Sequence, residues 1–315
     1  MPTDKKPEDY QLSDTEAAEY FKKEILPKLQ KKYDLSESKQ PTAYFTGGLP
    51  GAGKSKIVEQ LERENPKIPV IDVDELRKHH PYSDIIQKYF GEAASSITHP
   101  DAVKFAHLFK EEIFAKRADY VLDSTLRNPK SAELELGHAI QHGYDVKVTM
   151  VAVHEFESLQ GALSRYAKQL ERNPAEARFV DPVFIKEGAA TIADSVDIID
   201  KLPVKEFKIV TRDQEVVYEK GITGIDAKTA LEKYNDPKNW EKGRIEQLKK
   251  ELTGTLDKLE RLKAPEKIID YTKSIIKEVD KTFERVKGER KKDFFKQRDT
   301  NQPSKEKDKS KGFER

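Results

Sequence analysis

Between residues 41 and about 220, short runs of β-branched and aromatic residues alternate with longer stretches whose apolar positions recur every three or four residues. The runs predict strands at 42–46, 69–72, 119–123, 146–152 and 206–211. The periodic stretches predict helices at about 54–64, 74–79, 83–91, 100–117, 130–142, 156–172 and 182–194. Strands separated by helices imply right-handed crossovers and a parallel sheet covered on both faces. A hairpin of 206–211 with 215–219, turning at Arg212-Asp213-Gln214, closes the region. Such α/β sheets bind ligands beyond the carboxyl ends of their strands.

The flanks follow other patterns. Residues 1–12 are polar and read as disordered. Ser13-Asp14-Thr15-Glu16 offers a capping box. Ala17, Tyr20, Phe21, Ile25, Leu26 and Leu29 then recur at helical spacing through about Lys32, with Pro27 predicting a kink. Residues 36–40 are a linker. After 227 two long charged helices are predicted, 240–262 and 266–286, joined at Lys263-Ala264-Pro265. Each carries one narrow apolar stripe, so together they form a helical hairpin that must pack on something. The last stretch is rich in Lys, Glu, Asp and Ser and reads as a solvated tail. The expected division is 1–40 tail and amphipathic helix, 41–225 α/β domain, 226–287 helical hairpin and 288–315 disordered tail.

Composition narrows the classes. Of 315 residues, 36% are hydrophobic and 37% charged, so the apolar core must be concentrated in the middle of the chain. A net charge of +1 provides no global field for nucleic acid or an anionic membrane. With no cysteine there is no disulfide, thiolate metal site or cysteine nucleophile. The N-terminus lacks the apolar run of a signal peptide, and no stretch is long enough to span a membrane. A soluble cytoplasmic protein is the default expectation.

The chemistry concentrates after the first strand. Gly48-Leu49-Pro50-Gly51-Ala52-Gly53-Lys54-Ser55 fits G-x-x-x-x-G-K-[ST], in the strand–loop–helix context that the phosphate-binding loop requires. Its glycines let several backbone N–H groups point at one anion. Lys54 adds a point charge at the terminal phosphates, and the Ser55 hydroxyl is a ligand for Mg²⁺.

Phosphoryl transfer then needs charge neutralisation and a base for the acceptor hydroxyl. The second strand ends Ile71-Asp72-Val73-Asp74, with two carboxylates on one side of an extended chain. Asp74 is either the N-cap of the following helix or, by position, the general base, and position favours the base. The third strand ends in Asp123, followed by Ser124-Thr125-Leu126-Arg127. Asp123 is either a metal-supporting acid or a hydrogen-bond partner of the acceptor. Thr125 and Arg127 face the same cleft, unless Arg127 is spent on a surface ion pair. Arg165 and Arg178 lie on a helix and loop that can fold over the phosphate loop as a lid. Arg172, seven residues after Arg165, shares its helix face and is not ranked by pattern. The seven histidines make no metal pattern, since His138 and His142 have i, i+4 spacing without an accompanying acid.

In order and spacing, these segments resemble the zeta-toxin family of toxin–antitoxin systems, over about 41–220. They are Gly48 to Ser55, Ile71-Asp72-Val73-Asp74 with His80-Pro81, Val121 to Arg127, Arg165-Tyr166 and Ala177-Arg178. The resemblance implies a P-loop kinase core with a parallel sheet flanked by helices, here followed by a C-terminal helical hairpin. It implies transfer of phosphate from ATP or GTP, with Mg²⁺, to the 3′-hydroxyl of UDP-N-acetylglucosamine. Depletion of that cell-wall precursor is the toxic effect. Carried onto this chain, Lys54 and Ser55 hold phosphates and metal, and Asp74 is the base. Asp72, Asp123 and Thr125 line the sugar site with Arg127 close by, and Arg165 and Arg178 clamp the transferring phosphate. An antitoxin partner is implied, either as a separate chain or as the N-terminal helix 13–32 acting in cis, although a helix that only covers the core is the simpler reading.

The chain departs from the family at Asp123-Ser124-Thr125, where Glu-Gly-Thr is usual. The acid is shorter by about one C–C bond length. Another small hydroxyl acceptor (a nucleoside, NAD or an antibiotic) therefore stays open as the alternative. So does a non-catalytic ATP-binding effector module whose hairpin binds a protein.

Overall fold

The computed structural model describes residues 6–174 and 177–300. Its first turn, Pro7–Tyr10, is a 3₁₀ helix that buries Tyr10 against Ile86 and Phe90, so the expectation of disorder over 1–12 fails for this part. Residues 1–5 lie outside the described residues. Helix α1 (Asp14–Tyr20) starts at the Ser13 capping box. A π-helical turn, Phe21–Ile25, leads into α2 (Leu26–Lys32). There the Leu26 N–H donates to the Phe21 carbonyl, one residue before Pro27. A proline lacks the N–H and crowds the preceding turn. The expected kink is thus taken up as a widened turn.

The α/β core follows. Strand β1 (Thr42–Gly47) leads through the glycine-rich loop into α3 (Ser55–Glu64). Next come β2 (Val70–Ile71), α4 (Val73–Arg77), α5 (Ser83–Phe90) and α6 (Ala94–Lys116). Then β3 (Tyr120–Asp123), α7 (Pro129–Gln141), β4 (Asp145–Val151), α8 (Glu155–Arg172) and α9 (Pro182–Lys201) lead to β5 (Glu206–Val210) and β6 (Val216–Glu219). The six strands are ordered β2-β3-β1-β4-β5-β6, and only β6 is antiparallel. Central β1 places Ala43 and Phe45 in the core, and its register sets Thr46 beside Asp123. The carboxyl ends of β1, β2 and β3 therefore converge, as a parallel α/β sheet requires.

Two large apolar clusters organise the described residues, beside the small one around Tyr10. The main one joins the sheet to the N-terminal helices through Ala17, Phe21, Ile25 and Leu29. Tyr33 stacks on Phe109 of α6 at 5.9 Å. The N-terminal helix therefore covers a core face. The second cluster belongs to the C-terminal helices. After a short α10 (Ala227–Asn235), absent from the sequence expectation, α11 (Lys242–Arg261) and α12 (Glu266–Thr300) pack their stripes on α8. Leu252, Leu259, Ile275 and Val279 meet Leu159, Leu163 and Tyr166 there. Helix α12 runs past the expected boundary at 287 to Thr300. The rest of the expected tail, 301–315, lies outside the described residues.

Candidate functional site

The phosphate loop takes a backbone path that its glycines permit. Gly48, Gly51 and Gly53 all have positive φ, at 131°, 79° and 96°. Gly51 is required twice over. A Cβ there would stand 2.5 Å from the Ala162 nitrogen and 2.6 Å from the Ser158 carbonyl, because the α8 backbone lies directly on the loop. Gly161 provides the matching gap on α8, where a Cβ would collide with the Gly51 carbonyl. The Ser158 hydroxyl donates to the Pro50 carbonyl at 2.6 Å. The Arg212 guanidinium, from the β5–β6 turn, donates to the Gly51 carbonyl at 2.9 Å.

Lys54 projects into the loop, its ammonium donating to the carbonyls of Gly48 (3.0 Å) and Leu49 (3.4 Å). Burial pushes its pKa down, while the charges of Asp123, Asp72 and Asp74 pull it up and Arg165 pushes it down. Five of the expected site residues are thus within electrostatic reach of one another around this amine. Asp72 is pushed up to about 6, first by burial and then by Asp123, against the Asp74 N–H that it accepts. That bond, 2.8 Å, makes Asp72 the N-cap of α4. Asp74 is therefore not the cap. It is exposed and ion-paired with Arg77 at 2.9 Å and with Arg178 at 3.6 Å.

Asp123 accepts from the Thr46 hydroxyl at 2.8 Å. The Thr125 carbonyl accepts from the Gly48 N–H at 2.9 Å, tying the loop after β3 to the phosphate loop. Arg127 departs from expectation. Its guanidinium lies 3.4 Å over the Phe184 ring of α9 and donates to the Phe184 carbonyl, so it is spent on that helix. Arg165 is exposed on α8, and Arg172 is exposed in the last turn of the same helix. The Arg178 N–H donates to the Gln169 side chain at 3.1 Å, hanging its loop on α8.

Ser55, exposed at the start of α3, together with Asp72 and Asp123, offers hard oxygen donors suited to Mg²⁺. Burial first and the Asp123 charge second raise Asp72, and a divalent cation would relieve the second. Among the described residues, no group of three His, Cys, Asp or Glu side chains could hold a metal alone.

Two site arginines escaped the sequence reading. Arg77, largely buried, also reaches His99 Nδ1 at 3.2 Å. Its i, i+3 spacing from Asp74 was the available signal. Arg212 lies in a turn and had none. The end of α4 is anchored by His80, whose Nδ1 accepts from the Tyr82 N–H at 3.2 Å. Its Nε2 therefore carries the proton and donates to buried Asp101 at 3.0 Å.

With this geometry in place, the comparisons with known proteins are specific. The chain belongs to the zeta toxin family, whose model matches residues 27–223. It is similar to toxin PezT of Streptococcus pneumoniae, 27% identical over 184 residues, covering 58% of this chain and 73% of that one. It is also similar to toxin zeta of Enterococcus hirae, 26% identical over 141 residues, with 44% and 49% covered. The match thus spans about half the length of that relative. The solved PezAT chromosomal toxin–antitoxin structure of Streptococcus pneumoniae superposes with a TM-score of 0.65 at 22% identity. It covers 80% of this chain and 98% of that one, and establishes the fold. No helix among the described residues is long and apolar enough to cross a membrane.

Proposed function

We propose that the protein is a kinase that transfers the terminal phosphate of ATP or GTP to the 3′-hydroxyl of UDP-N-acetylglucosamine, and acts as a toxin. The observation that carries this reading is the grouping of Lys54, Asp72, Asp74, Asp123 and Arg165 by charge at the phosphate loop, with Arg178 ion-paired to Asp74. Backbone N–H groups of Gly48 to Ser55 cradle the donor phosphates, and Lys54 exchanges its loop carbonyls for phosphate oxygens. Ser55 would hold Mg²⁺, which when bound would supply positive charge beside the donor phosphates.

Asp74 takes the proton of the acceptor hydroxyl, and its exposure suits it to meet an incoming substrate. Asp123 and Thr125 line the acceptor side, Asp123 being held in place by Thr46. Arg165 and Arg178 stabilise charge on the transferring phosphoryl group. Arg127 acts by fixing α9 against the loop after β3.

The acceptor rests on family membership, and the shorter acid at 123 is the point to test. The purified chain with ATP, Mg²⁺ and a panel of acceptors (UDP-N-acetylglucosamine, nucleosides, NAD and aminoglycosides), read by mass spectrometry, decides it. A phosphate gain on UDP-N-acetylglucosamine supports the reading. A gain only on another acceptor reassigns the substrate, and ATP binding without any product favours an effector module. By analogy with its relatives, the protein is further proposed to meet an antitoxin as a separate chain, since helix 13–32 is committed to the core.

A further inference from the structure

We infer that the nucleoside part of the phosphate donor binds in the cavity between the β5–β6 turn and the C-terminal hairpin, so that α11 forms a wall of the nucleotide site. This rests on the phosphate-loop reading and extends it to a region no motif covers.

The cavity is about 540 Å³, within the range of small-molecule sites. It is bounded by Thr211 and Arg212 of the turn, Glu157 of α8, Tyr234 of α10, and Arg244 and Gln247 of α11. Arg212 joins it to the phosphate loop. The same side chain lines the cavity, donates to the Gly51 carbonyl and passes 3.8 Å from the Cβ position of Gly53. A donor whose phosphates lie in the loop therefore has its sugar and base within one side chain of the opening. A second cavity, behind Leu49, is about 260 Å³ and lies below that range.

The walls suit a flat, polar heterocycle. Arg244 lies 3.9 Å over the Trp240 ring and 4.1 Å over the Tyr234 ring. Its Nε and Nη2 donate to Glu157 at 2.8 and 2.7 Å, and its Nη1 to the Tyr234 carbonyl at 3.0 Å. Trp240 is buried beneath this stack, while Tyr234 and Arg244 stay part-exposed, so a base meets a surface already fixed by these contacts. Arg212 Nε is buried with no hydrogen-bond partner, a donor left over for a ligand acceptor. Asp213, Glu215 and Glu251 add carboxylates. These repel a triphosphate but accept from ribose hydroxyls and from an exocyclic amine, which orients the donor base-inward.

The test compares ATP with inorganic tripolyphosphate by calorimetry on the full chain. Wild type is expected to bind ATP more tightly. Gln247→Trp, at an exposed α11 position, obstructs the cavity and should weaken ATP by at least about tenfold while leaving tripolyphosphate unchanged. Glu251→Trp, one turn on, should give the same pattern. Unchanged ATP affinity in both variants overturns the inference, as does parallel loss of both ligands. A wild type that binds tripolyphosphate as well as ATP overturns this inference alone. One that binds neither overturns the phosphate-loop reading with it.

Discussion

Arg178 meets Asp74 across the mouth of the site, Nη1 to Oδ1 at 3.6 Å. Both side chains are well exposed, at 42% and 62%, so the pair contributes little to stability and exchanges readily. In the proposed kinase a bound triphosphate, which carries more charge than one carboxylate, would draw Arg178 away and leave Asp74 paired with Arg77 alone. Asp74→Asn is therefore expected to abolish turnover without weakening ATP binding. It should tighten binding in the wild-type background but not with Arg178→Ala. Arg178→Ala alone should lower kcat by about 10²–10³. Titration calorimetry and initial rates on the four proteins check this, and turnover retained in Asp74→Asn would rule out the base assignment.

Asp72 makes a second, pH-dependent case. Its pKa is raised from 3.8 to about 6 by burial and by Asp123. Below about pH 4 it is protonated both folded and unfolded, and its contribution to stability is fully present. That contribution is lost as pH rises through about 6, where the fold must hold a repelled, partly desolvated carboxylate. Asn caps a helix as well as Asp, so Asp72→Asn keeps the bond to the Asp74 N–H. The variant should match wild type at pH 4 and exceed it at pH 7 by about 1–2 kcal/mol, allowing for solvent screening. Urea unfolding at the two pH values measures it. An equal difference at both would remove the charge argument.

What the sequence disclosed was local. The strand–loop–helix order around Gly48 to Ser55 and the strand end at Asp123 were legible because their signals are contiguous, whereas the pattern offered Asp74 as the helix cap and the cap lies at Asp72. Arg212 was not, since its partner Gly51 lies 161 residues away. Gly161 was equally silent, being small for the sake of a loop far earlier in the chain. Pro100 looked like a helix start, yet α6 begins at Ala94, because Ala94 and Ile97 are buried against Tyr10 and Ile86. Arg127 carried the right motif spacing but found an aromatic ring on α9, a neighbour no local pattern announces.

The contact between Gly161 and Gly51 makes α8 and the phosphate loop one unit. Gly161→Ala inserts a methyl group against the Gly51 carbonyl and the Arg212 guanidinium. Helix propensity favours alanine by about 1 kcal/mol, but overpacking of this kind costs about 1–3 kcal/mol. The expected result is a modest fall in melting temperature with a larger fall in ATP affinity, because the loop is displaced. A stabilised variant with normal ATP binding would show that the loop yields freely.

Tyr271 of α12 links the hairpin to the segment that carries Arg178. Phe179, next to Arg178, packs edge-on to Tyr166 at 5.7 Å and to Tyr271 at 6.3 Å. The Tyr271 hydroxyl is buried without a partner, so the ring is what matters. Tyr271→Phe should keep activity and stability. Tyr271→Ala should lower kcat more than it raises the nucleotide KM, because it loosens the segment that presents Arg178. Equal kinetics in the Ala and Phe variants would leave the hairpin without influence on that segment.

The N-terminal helices present the last case. Phe21 and Ile25 are almost fully buried, each side chain contributing about 1.5–3 kcal/mol. Beyond them, the Leu12 N–H donates at 3.0 Å to Asp101, a carboxylate with no exposure. Deleting 1–36 strips the aromatic face of α6 and leaves Asp101 short of a donor beside His80. If the segment were an inhibitor, its loss would raise turnover in a folded protein. As a covering layer, its loss should abolish folding. The milder Phe21→Ala should lower stability by about 3–5 kcal/mol with no gain in specific activity. Turnover per folded molecule decides between the two, since destabilisation alone cannot raise it.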